Sequence, residues 1–238
     1  MAVLDDVLSS LRSDAPVRDL SVCLRVTAVW SRCLGLAYSF PRERRSSGDP
    51  RPARPLYEMT ARELAGMARS PDANDASIGV AAINSLIEPD PSMLREGKAH
   101  DLIVERGAGR RVTVVGHFPF VDAIREKVGE LCVLEKEPRE GDLPAEEAGR
   151  VIPRSDVVAI TGTALINGTL DELLALARGR TTIVLGPSTV LSPVFFDHGV
   201  DAVCGSVVTA PEQVLRCVRA GTGFRHIEGL RPVIMERG

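Results

Sequence analysis

The sequence predicts an α/β protein in two parts, an N-terminal α+β segment followed by an alternating α/β domain with a mainly parallel sheet. Three observations carry this. Residues 112–205 hold five short β-branched runs, "VTVVG", "LCVLE", "VVAITG", "TTIVLG" and "DAVCG", separated by stretches able to hold helices, the rhythm of a parallel sheet with crossover helices. The N-terminal portion has a different pattern, a helical stretch and then two neighbouring apolar or alternating runs. Between the two lies "ERGAGRR", residues 105–111, a Gly-rich basic stretch that reads as a boundary. The expected domains are therefore 1–105 and 106–238.

Bulk properties narrow the function classes. A chain of 238 residues with 44% hydrophobic and 26% charged residues can bury a sizeable core, and no apolar run is long enough for a membrane span. A net charge of −3, with six Phe, two Tyr and one Trp, offers neither a basic surface nor stacking platforms for nucleic acid. The opening "MAVLDDVLSSLRSDAP" is acidic from the start and reads as an amphipathic helix rather than a signal peptide. Five scattered cysteines, Cys23, Cys33, Cys132, Cys204 and Cys217, form no CxxC pair and suit reduced thiols in a cytoplasmic protein. A homodimer is expected only on the general ground that such proteins are often symmetric.

Val3, Val7, Leu8 and Leu11 have helical spacing, and "LSVCLRVTAVW" and "LGLAYSF" read as paired strands. The segment "PRERRSSGDPRPARP", within residues 41–55, cannot pack a core and is expected to be an exposed loop; its arginines would also permit an anion-attracting flap. Thr60 with Glu63 fits a capping box. "DASIGVAAINSLIEP", residues 75–89, reads as a buried helix starting at a capping Asp. Its Asn84 either ties neighbouring backbone together or points at a ligand between the halves.

On open α/β sheets, ligands bind beyond the carboxyl ends of the strands, so the loops there are the candidate site. In "VVGHFPFVDAIREKVG", Gly116 permits a tight turn and Val121, Ile124, Arg125 and Val128 mark the next helix. The full GxGxxG is absent, which argues against an ordinary dinucleotide dehydrogenase. Glu135 ends the following strand 19 positions after Gly116, near where such folds place an acid for a ribose diol. His117 is a candidate general acid or base, with no partner carboxylate identifiable. In "ITGTALINGTLDELL", Asn167 and Gly168 should form a turn, and Thr169 with Glu172 a capping box. Thr161, Gly162 and Thr163 are left to bind oxygens of a small polar molecule. Ser192, Pro193 and Gly199 bound a short helix; before it, the loop Gly186, Pro187, Ser188 and Thr189 offers hydroxyls and amides suited to a carboxylate or other anion.

"ITGTALINGTLDELL" and "GPSTVLSPVFFDHGVDAVCG", with "GHFPF" and "GVAAINSLI", resemble the "putative heavy-metal chelation" family of uncharacterised prokaryotic proteins over nearly the whole chain. The resemblance implies an N-terminal domain similar to the enolase N-terminal fold, followed by a Rossmann-like domain with methyltransferase-like features. It implies ligands of flavin, pterin or siderophore type, with S-adenosylmethionine or another nucleotide-like molecule as the class of cofactor. It also implies a site between the domains at Asn84, Gly116, Glu135, Thr161 to Thr163, Asn167 and Gly186 to Thr189. The Arg-rich loop at 42–54 departs from the family pattern.

No dedicated metal site is expected. His100, His117, His198 and His226 are isolated, and HxxxH, HExxH and CxxC are absent, although Cys23, Cys204 or His117 could still converge in space. Two readings stand. One is an enzyme of small-molecule metabolism, performing group transfer, condensation or hydrolysis with His117 and Glu135 as its titratable groups. The other is a non-catalytic binding protein for a metal or a metal–chelator complex.

Overall fold

The structure is a computed structural model that describes residues 2–41 and 54–237. The expected Arg-rich loop falls almost entirely outside the described residues; at its end, Arg54 pairs with Glu63 at 3.1 Å.

Helix α1 (Ala2–Ser10) precedes three strands, β1 (Asp19–Val22), β2 (Val26–Trp30) and β3 (Leu34–Tyr38). These form an antiparallel sheet in the order β1-β2-β3, with Ala28 opposite both Ser21 and Leu36. The two expected runs thus become a meander. Helices α2 (Ala61–Gly66) and α3 (Ala73–Leu86) follow. The capping box is present at α2: Glu63 donates its N–H to Thr60 Oγ1, and Thr60 donates its own to Glu63 Oε2. Helix α3 starts earlier than expected, because Asp72 rather than Asp75 caps it, accepting the N–H groups of Asn74 and Asp75 at 2.9 Å each. Nearly every face of α3 is buried. A Cβ on Gly35 would sit 2.1 Å from the carbonyl oxygen of Ala81, so only glycine lets β3 lie this close to α3.

The remaining elements are β4 (Leu94–Glu96), α4 (Ala99–Gly107), β5 (Arg111–Val115), α5 (Val121–Arg125), β6 (Glu130–Glu135), β7 (Leu143–Pro144), α6 (Ala148–Val151), β8 (Val157–Thr161), α7 (Thr163–Ile166), α8 (Leu170–Leu176), β9 (Thr181–Leu185), α9 (Val194–Asp197), β10 (Ala202–Val208), α10 (Pro211–Arg219) and β11 (Leu230–Glu236). All five β-branched runs are strands. The sheet order is β4-β11-β10-β9-β8-β5-β6-β7, parallel from β10 through β7, with β4 antiparallel to β11. From β5 the chain moves outward through β6 to β7, then returns to the other side of β5 and proceeds through β8 and β9 to β10. This is the doubly wound, Rossmann-like order, with its switch point between β5 and β8. The strands are apolar because helices cover the sheet: Val112, Val114, Val157, Ala159, Ile183 and Leu185 are buried with Leu102 and Ile103 of α4 and Ile124 of α5.

The chain divides into two compact units, but not at 105–111. One comprises Leu4–Pro89 with Ser206–Arg231, the other Met1–Val3, Asp90–Gly205 and Pro232–Gly238. Helix α4 belongs to the larger sheet because Leu102 and Ile103 bury in its core. The return of residues 206–231 to the first unit has the same kind of cause. Val214, Leu215 and Val218 on one face of α10 pack with Val26, Ala28, Leu34 and Leu36 of the meander, which a basic Gly-rich stretch cannot reveal.

Candidate functional site

The switch point brings the ends of β5 and β8 together. Gly116 has φ +101°, and a Cβ there would lie 3.1 Å from the Cβ of Thr161. Glycine is required twice over, for the left-handed backbone and for the space. Gly116 also donates its N–H to Leu134 O at 2.8 Å, Gly162 to Leu185 O at 2.7 Å and Gly186 to Cys204 O at 3.3 Å. Each loop is thereby anchored to the neighbouring strand just as its own strand ends.

The two hydroxyl-bearing loops meet. A Cβ on Gly162 would stand 2.7 Å from both the backbone nitrogen and Oγ1 of Thr189, so the 161–163 bend touches the 186–189 bend directly. Gly186 has φ +116°, and the ring of Phe118 comes within 3.4 Å of where its Cβ would be. Phe118 stacks in turn on Phe120, with ring centroids 5.1 Å apart. Thr161 and Thr163 share a hydrogen bond of 2.9 Å between their hydroxyls; both are half-buried, while Ser188 and Thr189 are buried. Thr189, 6% exposed, has an Oγ1 with no hydrogen-bond partner. A buried hydroxyl of this kind ordinarily has one.

His117 follows Gly116 and is held at both ends. Its N–H donates to Glu135 Oε2 at 2.7 Å, and its ring Nδ1 lies 2.8 and 3.0 Å from the two carboxylate oxygens of Asp142. The Asp142 side chain is 1% exposed and that of His117 15%. Asp142 also accepts the N–H of Arg139 at 3.0 Å. Glu135 accepts the N–H of Lys136 at 2.7 Å through its other oxygen. Its two oxygens therefore hold one backbone amide in the turn after β5 and one directly after β6, whereas its spacing pointed to a ribose diol.

Gly116, His117, Glu135, the Thr161–Thr163 bend and the Gly186–Thr189 loop thus collect along one edge of the parallel sheet. Asn84 belongs to α3, where its Nδ2 donates to Leu36 O at 2.9 Å and ties the helix to β3, the first of the two roles its sequence left open. Asn167 Oδ1 accepts both the N–H of Thr169, at 3.2 Å, and its hydroxyl, at 2.7 Å. That bond replaces the expected Thr169–Glu172 box. Thr169 has φ −92° and ψ −6°, a helical conformation, whereas a capping residue needs an extended one. The dipole argument for the 186–189 loop also loses its basis, since α9 has four residues and begins at Val194. Sequence reasoning missed Asp142, which sits in the turn after Gly141 (φ +86°), and Phe118, which packs against Gly186.

The donor set does not fit a resident metal ion. Among the described residues, no three His, Cys, Asp or Glu side chains form a group able to hold one. The Asp142 and Glu135 carboxylates are committed to Nδ1 and to backbone amides. Burial pushes the Cys204 thiol up to about 12, which disfavours the thiolate that a soft metal requires. Among the described residues, no helix is long and apolar enough to cross a membrane.

Comparison with known proteins agrees with this architecture. Residues 4–87 and 98–234 match two family models that share the description "Putative heavy-metal chelation". The chain is 29% identical over 203 residues to an uncharacterised protein of Methanocaldococcus jannaschii, covering 80% of this chain and 78% of that protein. A crystal structure of a protein of unknown function from Desulfitobacterium hafniense superposes with a TM-score of 0.87 at 26% identity, covering 99% of this chain and 98% of that one. A second, from Pyrococcus horikoshii, superposes with a TM-score of 0.81 at 24% identity over the same shares, a likeness of fold. With one model spanning 98–234 and the other 4–87, the chain belongs to the family described as "Putative heavy-metal chelation".

Proposed function

We propose that this protein binds a small, oxygen-rich organic molecule of nucleotide-like or heterocyclic kind at the carboxyl ends of β5 and β8, and acts on it as an enzyme. The observation that carries the reading is the meeting of the Gly116 turn, the Thr161–Thr163 bend and the Gly186–Thr189 loop at the switch point of a doubly wound sheet, the place where such sheets take their ligands. Half-buried threonine hydroxyls and loop amides suit anionic or carboxylate oxygens. His117, beside them, supplies a group able to carry a proton. A ligand that is itself an organic chelator would satisfy the family description without metal ligands from the chain, and five thiols in no disulfide suit action in the cytoplasm.

A thermal-shift screen of the purified chain against S-adenosylmethionine, nucleotides, flavins, pterins, siderophore-like chelators and divalent metals tests this. The expected result is a rise in Tm with one of the organic classes, since a ligand at about a hundredfold its Kd adds roughly 2.7 kcal/mol, and loss of that rise in Gly162→Val. Stabilisation by free metal ions alone, equal in the variant, would refute it.

A further inference from the structure

We propose that Asp142 is a positioning residue that fixes His117 as the Nδ1–H tautomer, leaving Nε2 as a proton acceptor for the ligand; this assignment rests on the site reading above. The geometry is specific. Both oxygens of one carboxylate lie within 3.0 Å of Nδ1, and the same carboxylate accepts the N–H of Arg139. An ionised carboxylate can only accept, so the proton of the neutral ring resides on Nδ1 and the lone pair on Nε2. The Asp142 side chain is almost wholly buried, which strengthens the pairing by keeping water from competing for it.

The backbone fixes the other end of the residue. Glu135 holds the His117 N–H, and the left-handed Gly116 precedes it, so ring and main chain are both constrained at the strand end. This matches the logic by which a buried carboxylate orients a catalytic imidazole and stabilises the imidazolium that forms. The step it supports is simple. An acidic O–H or ring N–H of the bound molecule gives its proton to Nε2; the electron pair stays on the ligand oxygen or nitrogen as a nucleophile, and the positive ring is balanced by Asp142. The substrate class is therefore a polar molecule carrying such an ionisable hydroxyl or ring N–H, with oxygens for the Thr161–Thr163 bend.

Long-range proton–nitrogen NMR on the nitrogen-15-labelled, ligand-free chain tests the assignment without knowing the ligand. The His117 signals are identified by their loss in His117→Gln. At alkaline pH, where a histidine ring is neutral, wild type is expected to show Nδ1 as the protonated nitrogen and Nε2 as the unprotonated one. Asp142→Asn, whose amide can donate to Nδ1, is expected to shift the ring toward Nε2–H, and Asp142→Glu to restore the wild-type pattern at least in part. Wild type found chiefly as Nε2–H, or Asp142→Asn leaving the tautomer unchanged, would overturn the proposal. The wild-type spectrum alone decides this if the variant fails to fold. A correct tautomer with no stabilising organic ligand in the thermal screen would instead count against the reading of the site.

Discussion

Gly116 and Thr161 face each other across the switch point of the parallel sheet, so close that a single Cβ on Gly116 would come within 3.1 Å of the threonine Cβ. The first turn of the sheet is thereby set against the loop carrying the paired hydroxyls of Thr161 and Thr163. The position also demands glycine because φ is +101°.

Gly116→Ala is therefore expected to destabilise the protein by about 1–3 kcal/mol, the cost of holding a side-chain-bearing residue in a disfavoured backbone region. Urea unfolding measures this as a lower midpoint with an unchanged slope.

Gly162 separates space from conformation. Its φ is −60°, which any residue adopts, yet its Cβ would press to 2.7 Å on the backbone of Thr189. Gly162→Ala should thus force the two hydroxyl-bearing loops apart, with a cost of about 1–3 kcal/mol of the overpacking kind. The amide signals of residues 186–189 should move in its NMR spectrum.

Glu236 accepts from Arg95 Nε at 2.7 Å and Arg106 Nη2 at 2.9 Å, linking β11 to β4 and α4. Burial pushes its carboxyl up, but the two guanidinium partners outweigh this and hold it below the ordinary glutamate value. Asp19, partly buried but paired with Arg219, is lowered in the same way. A carboxylate depressed in the folded state contributes stability above its unfolded value, and that contribution is lost as pH falls through the folded one. Urea midpoints should accordingly decline on acidification through and below the ordinary carboxylate range, and less steeply in Glu236→Gln.

Cys204 should be inert in the native protein. Burial raises its thiol to about 12, leaving almost no thiolate near neutral pH. Maleimide labelling followed by peptide mapping is expected to modify Cys204 only under denaturing conditions.

Much of the fold is legible because burial writes it into side-chain type. Strands β5, β6, β8, β9 and β10 are covered by helices and appear as β-branched runs, and the Thr60–Glu63 box is local enough to read from four residues. What escapes is tertiary. Asp142 reaches His117 from 25 positions away through a turn whose composition says only that it is exposed. Val214 and Leu215 complete a core begun by Val26, and no periodicity shows which sheet an amphipathic helix will choose. The Thr169–Glu172 pair has the right spacing, yet Asn167 captures the threonine hydroxyl first.

The site was half legible. Gly116, Thr161 to Thr163 and Gly186 to Thr189 announce themselves as glycines and hydroxyls at strand ends, whereas their convergence depends on the order β8-β5 in the sheet, a topological fact. Asn84 leaves two roles open in the sequence, tying backbone together or meeting a ligand, because an amide in a buried helix needs partners; Leu36 O is one such partner.

The most direct test of the strand-end site is an amide chemical-shift map of the chain with the most stabilising organic compound from the screen. The largest changes should fall on residues 116–118, 161–163 and 186–189. Changes gathered instead at the cleft lined by Asp171, Arg178 and Asp197, or no changes at the strand ends at a saturating concentration, would contradict it.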